Sequence, residues 1–212
     1  MTDVWSDRAE MYRMSEAHRD GPDLDVLVEW ATGTRTALDV ATGGGHVARR
    51  LRETGLEVVT CDPAPGMKPD VVCRAEDLPF ADGSFDLVVT RVAAHHYDDV
   101  AKAVLEMARV AADGVLIVDN CFMGEDVEAA ETLRDPSHVR NYSEVEWRSF
   151  AELAGLEVEE VQFFEKPIEF QPWLDRCGCS DDDATRVREL LGDRIVGEHV
   201  VLDRIALKAV PA

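Results

Sequence analysis

The stretch Thr36-Ala-Leu-Asp39-Val-Ala41-Thr-Gly43-Gly-Gly45-His46-Val-Ala48 carries the sharpest change of pattern in this 212-residue chain. Thr36–Val40 is a short apolar run of the kind that forms a buried strand. Three consecutive glycines break it, and helix-compatible sequence follows from His46 to Glu53. A second strand-like run, Leu56–Cys61, ends in Asp62-Pro63. Phe85–Thr90 and Val115–Asp119 repeat the pattern around helical sequence near Asp98–Val110. Continuous β-branched runs alternating with helices predict an α/β fold, a doubly wound and mostly parallel sheet covered on both faces.

The flanks read differently. Residues 4–32 are helical in character, with a break at Gly21-Pro22. Ser143-Glu-Val-Glu146 is a capping box opening a helix that stops at Gly155. Leu156–Phe170 and Val200–Ala209 read as two long strands around an acidic helix near Asp181–Leu191, so an antiparallel pair is expected at the C-terminal end of the sheet. The expected organisation is one domain over 1–212: a helical cap (1–35), a ligand-binding half (36–120), and helices and terminal strands facing a second ligand (121–212).

Composition narrows the partners. Lys and Arg number 22 against 43 Asp and Glu, a formal net charge of −21. Each phosphate contact needs a cation, so nucleic acid and anionic membrane surfaces are not expected partners. The start, MTDVWSDRAEMYR, has neither a basic n-region nor an apolar h-region. A reduced, cytoplasmic setting is the expectation, with Cys61, Cys73, Cys121, Cys177 and Cys179 as free thiols. Cys177-Gly-Cys179 lacks the second pair that structural zinc needs, so no metal is expected. The oligomeric state, a homo-oligomer included, stays open.

The glycine turn lets a ligand approach the backbone and presents a helix N-terminus to it. Asp62, ending the next strand 17 residues beyond Gly45, suits a ribose diol. Gly43-x-Gly45-x-x-Ala48 also satisfies the dinucleotide fingerprint, which keeps an NAD(P)-dependent oxidoreductase as a rival. Asp39 argues against it, because a carboxylate entering the loop would repel a pyrophosphate. A zwitterionic amino acid and a sulfonium, as in S-adenosylmethionine, suit that acid better. No Tyr-x-x-x-Lys pair is present either.

Successive motifs carry a family resemblance: Asp39–Gly45, Cys61-Asp-Pro63, Ala75-Glu-Asp-Leu-Pro-Phe80, Ser84-Phe-Asp-Leu-Val88, Arg91-Val-Ala-Ala-His-His-Tyr97, Val118-Asp-Asn120 and Leu133–Arg140. Together they resemble the class I S-adenosylmethionine-dependent methyltransferases, in the ubiquinone/menaquinone-type (methyltransferase type 11-like) subgroup. The resemblance implies methyl transfer from S-adenosylmethionine to a small-molecule acceptor. It implies that Asp39, Ala41, Gly43 and Gly45 line the methionine end of the cofactor. Asp62, with Pro63 beside it, would hold the ribose, and Ala75 with Glu76 would border the adenine. Arg91 and Ala93 would lie along the methionyl group, and Tyr12 would close over the cofactor.

Two departures stand out. Arg74 occupies a position where relatives often have a carboxylate, and arginine cannot accept a bond from adenine. Only Pro63–Pro69 separates the second strand from Asp70–Cys73, too short for a normal helical crossover. The expectation there is a short third strand reached without a helix, and an adenine side less covered than in relatives. The shortening also motivates a third reading, a protein that binds S-adenosylmethionine with little turnover. His95-His96 follow the fourth strand, where acceptor and donor would meet, and are the candidate bases, with His96 favoured. Arg134, His138, Arg140 and Tyr142 form a further polar cluster, either a lid for an anionic or phenolic acceptor or a solvated loop.

Overall fold

The computed structural model describes residues 4–212. In chain order the elements begin with α1 (Val4–Met14), α2 (Glu16–Arg19), α3 (Pro22–Trp30), β1 (Thr36–Val40), α4 (His46–Glu53), β2 (Glu57–Asp62) and β3 (Val71–Val72). β4 (Phe85–Arg91), α5 (Val100–Val110), β5 (Ala111–Asn120), α6 (Glu125–Arg134) and α7 (Glu144–Leu153) follow. The chain closes with β6 (Leu156–Glu169), α8 (Phe170–Asp175), α9 (Asp181–Leu191), β7 (Ile195–Val196) and β8 (His199–Pro211).

The sheet runs β3-β2-β1-β4-β5-β8-β6, with β7 pairing β8. The pairs from β3 to β5 are parallel; β8 runs antiparallel between β5 and β6. Successive residues of a strand face opposite sides, and both sides are buried. Leu38, Val40 and Val88 pack under α5 and α7, while Ala37, Leu87 and Val89 pack under α3 and α4. That double burial is why these strands are continuous apolar runs. The chain leaves β1 towards β2 on one side and reaches β4 on the other, so a topological switch point lies beside β1. Open α/β sheets bind ligands at the carboxyl ends of such strands.

The short connection behaves as expected: one 3-10 turn, Pro65–Met67, precedes a two-residue β3 paired to β2. The bare adenine side does not follow. α1 packs over the connection instead, with Ala9, Ala64 and Met67 forming a small core against Trp5 and Tyr12. Ser6 Oγ accepts from the Gly66 amide at 2.7 Å, and Arg13 donates to the Gly66 carbonyl at 3.2 Å.

Two glycines permit this docking. A Cβ on Gly66 would stand 2.5 Å from Ser6 Cα, and one on Gly44 would stand 2.7 Å from the Tyr12 carbonyl oxygen. Both obstacles are backbone, so α1 would have to move. Gly66→Ala is therefore expected to lower the melting temperature, in keeping with the roughly 1–3 kcal/mol of overpacking, and to weaken cofactor binding at least severalfold. A melting curve and a calorimetric titration matching wild type would show that α1 does not need this approach.

Candidate active site

The loop after β1 is built around two carboxylates. Asp39, at the end of β1 and 1% exposed, accepts from the Thr42 hydroxyl at 2.6 Å and from the Ala48 amide at 3.1 Å. It thereby supplies the cap for α4 that Gly45, lacking a side chain, cannot. Burial pushes its carboxyl up to about 6, partly offset by those two donors. Asp62 closes the loop from the other side: one oxygen accepts from the Gly43 amide and the other from the Ala64 amide, each at 2.9 Å. Ala41 and Gly43 both adopt left-handed backbone, with φ of 55° and 52°.

A cavity of about 460 Å³ opens over this loop. Ala41, Gly43, Asp62 and Pro63 form one wall. Ala75 and Glu76 form a second, and Arg91, Ala93 and Tyr12 complete the enclosure. Asp39 and Gly45 are not in the lining: Asp39 faces inward and braces the turn, and Gly45 leads into α4 with a left-handed φ of 76°. Arg91 reaches the wall, but its guanidinium is committed elsewhere, 2.8 Å from Asp23 and from the His18 carbonyl. It ties the N-terminal cap to the end of β4. Arg74 is neutralised by Asp98 at 2.7 Å and Glu76 at 3.2 Å, which puts two carboxylates beside it in that second wall.

Val92, next after β4, has φ 55°, a strained conformation for a β-branched residue. Its amide donates to the Val118 carbonyl at 2.7 Å, which holds the turn and delivers His95 and His96 to the end of the sheet. The two histidines part there. His95 is buried, its Nδ1 2.6 Å from Asp119 and its amide bonded to the same carboxylate. Burial alone would lower its pKa, but Asp119 outweighs burial and raises it. Its carbonyl accepts from the Val139 amide, so it anchors the loop after α6. His96 lines the cavity, under the edge of Trp5, with Nδ1 3.0 Å from the Ser137 carbonyl. That donation leaves Nε2 as the acceptor nitrogen. Burial and neighbouring His95 lower its pKa to about 3, so the ring is neutral.

The polar cluster of the sequence is dispersed. His138 reaches the cavity; Arg140 pairs outward with Glu146 at 2.9 Å; Tyr142 packs against Trp147 and Phe150 in the core. Arg134 stacks on Trp173 beside a smaller inner cavity. Cys177 donates to Asp135 at 3.1 Å, and the acidic turn Asp181–Asp183 opens α9. Sequence reading missed His18, Trp5 and Pro136 in the cavity wall, and missed Glu128, Glu131 and His138 as neighbours. Those two carboxylates are held by Asn141 and His138. Glu128 and Glu131 stand one turn apart on α6, the only local signal of that group.

Residues 38–118 match the model of the methyltransferase domain family. The chain is 33% identical to YcgJ of Bacillus subtilis, an uncharacterised methyltransferase, over 84% of this chain and 80% of that one. The crystal structure of YcgJ superposes with a TM-score of 0.80, covering 89% of this chain and 97% of the other at 29% identity. A Bacillus halodurans protein assigned to the methyltransferases superposes at 0.78 with 31% identity, over 91% of this chain and all of that one. A demethylmenaquinone methyltransferase of Beutenbergia cavernae is 36% identical over 38% of each chain. The chain belongs to this methyltransferase family, and is an S-adenosylmethionine-dependent enzyme of the class I fold.

Proposed function

We propose that the 460 Å³ cavity takes S-adenosylmethionine with its ribose on Asp62 and its adenine against Ala75 and Glu76. The methionyl part then lies along Ala41, Gly43 and Ala93, under Tyr12, and a small-molecule acceptor lies between the sulfonium and His96. One observation carries this: nine of the eleven residues that the family motifs assign to the cofactor line a single cavity, whose volume suits a small ligand. Of the two exceptions, Asp39 braces the loop from behind and Gly45 turns the chain into α4.

When bound, the cofactor supplies an electrophilic methyl group, and a protic acceptor that receives it must shed a proton. His96 is the group able to take that proton, because Ser137 holds Nδ1–H and leaves Nε2 with its lone pair. A ring of low basicity suffices when the proton comes off an atom that methylation has made strongly acidic. His95 acts through position: Asp119 fixes it, and it fixes the loop that carries Ser137. α1 excludes water above the reacting atoms. Labelled S-adenosylmethionine and a panel of acceptors test the reading. Tight cofactor binding without even a single turnover on any of them would instead favour a binding protein.

The neutral His96 has a stability consequence. With its pKa at about 3 in the fold and near 6.5 unfolded, the unfolded state binds the extra proton between those values. Its contribution is complete above pH 6.5 and is lost as pH falls towards 3, by at most about 1.4 kcal/mol per pH unit. The melting-temperature gap between wild type and His96→Gln is expected to move against wild type from pH 7.5 to pH 5. A gap independent of pH would mean that the ring protonates freely in the fold.

A further inference from the structure

Within a chain of formal net charge −21, one small cavity is over-supplied with cations. It has a volume of about 30 Å³ and shares Tyr12, His18, Val92 and His96 with the wall of the large cavity. Its other polar lining consists of Arg134, Arg176 and Arg204 against Glu131, with His95 and Asn120.

The arginines are short of partners. Asp23 serves Arg91 and Arg204 together, at 2.8 and 2.9 Å. Asp135 serves Arg8 at 3.4 Å and Arg134 at 3.5 Å, while also accepting from Ser137 and Cys177. Glu131 is already held by the amides of Asn120 and Asn141. Among the described residues Arg176 has no carboxylate within ion-pair reach; its guanidinium stands 5.9 Å from the Tyr12 ring centre. Arg134 and Arg204 are 8% and 1% exposed, and the Nε of each is buried without an acceptor. Buried guanidinium groups lacking acceptors are costly, and a carboxylate offers the flat pair of oxygens that matches them. The space admits such a group and little more.

We propose that this inner cavity receives a carboxylate of the methyl acceptor, gripped by Arg134 and Arg176 with Arg204 behind them, so that the acceptor is a small organic acid whose nucleophilic atom lies by His96. The proposal rests on the methyl-transfer reading above. The same chemistry has a second source, the carboxylate of the cofactor's own methionine. The position favours the acceptor, because Asn120 at the end of β5 and His95 in the turn after β4 line the inner wall, and neither the Gly43 loop nor Asp62 enters it.

Acetate, with acetamide as its uncharged counterpart, probes the site without knowledge of the acceptor. Protein saturated with S-adenosylhomocysteine is titrated with each at constant ionic strength set by chloride, and melting temperature and calorimetric heat are read. Acetate is expected to bind at least tenfold more tightly than acetamide. Arg176→Met and Arg134→Met are each expected to remove that preference while S-adenosylhomocysteine affinity stays within about twofold. Equal responses to acetate and acetamide in wild type would overturn the proposal, and this arm needs no variant to fold. An acetate response present in the free protein but abolished by S-adenosylhomocysteine would assign the carboxylate to the cofactor and overturn it too. Failure of S-adenosylhomocysteine to bind at all would count against the underlying methyl-transfer reading instead, and is recognised separately.

Discussion

Replacement of His96 by alanine is expected to lower turnover by about 10²–10⁴-fold at saturating S-adenosylmethionine, the range for loss of a positioned proton acceptor. Cofactor affinity should change little, since Asp62 and the Gly43 loop are untouched. His95→Ala is expected to differ in kind. It would leave Asp119 buried without its imidazole partner, while the backbone carbonyl that holds Val139 and Arg140 would remain, so its main effect should be a lower melting temperature. Turnover of both variants beside their melting curves separates the two roles. Full activity in a folded His96→Ala protein would remove the imidazole from the chemistry and leave alignment alone to account for the rate.

Asp62→Ala is expected to weaken S-adenosylmethionine binding at least tenfold. Hydrogen bonds to a charged acceptor contribute roughly 1.5–3 kcal/mol, and each carboxylate oxygen can accept more than one bond. The same carboxylate also accepts from the Gly43 and Ala64 amides, so the alanine variant loosens the loop as well. Asp62→Asn tells these apart, because it keeps an oxygen for one amide while losing the charge. Unchanged calorimetric affinity in both variants would place the ribose elsewhere.

Much of the fold was legible because its signals are local. β1, the glycine turn and α4 follow one another within 18 residues, and each announces itself by a different periodicity. The capping box at Ser143 and Glu146 appears as read, with both reciprocal bonds formed. The third strand without a crossover helix was likewise a matter of counting residues between two short runs. The acidic helix α6 was not anticipated, because its apolar residues form no pronounced stripe.

The candidate site divides along the same line. Gly43 and Asp62 were read from motif spacing, Glu76 and Ala93 from the family resemblance, and all four line the cavity, since a glycine loop and the strand ends beside it have short-range signatures. By contrast, Asp39 was read as a wall of the site and turned out to be a brace. Nothing in DVATGGG says whether a carboxylate faces a ligand or the helix behind it. Arg91 lines the cavity, but the pairing of its guanidinium was not legible for a related reason: its partner Asp23 is 68 residues away.

By itself, then, the sequence determined the alternation of strands and helices, the position of the glycine loop, and the class of enzyme, because each depends on neighbours along the chain. Only the tertiary structure decided which charges are paired. Asp23 meets Arg204 across 181 residues, and α1 covers a connection some sixty residues beyond it. In a chain with 43 acidic residues, a surplus of guanidinium groups in one inner cavity arises only when folding removes those groups from water and apportions the few carboxylates that come with them.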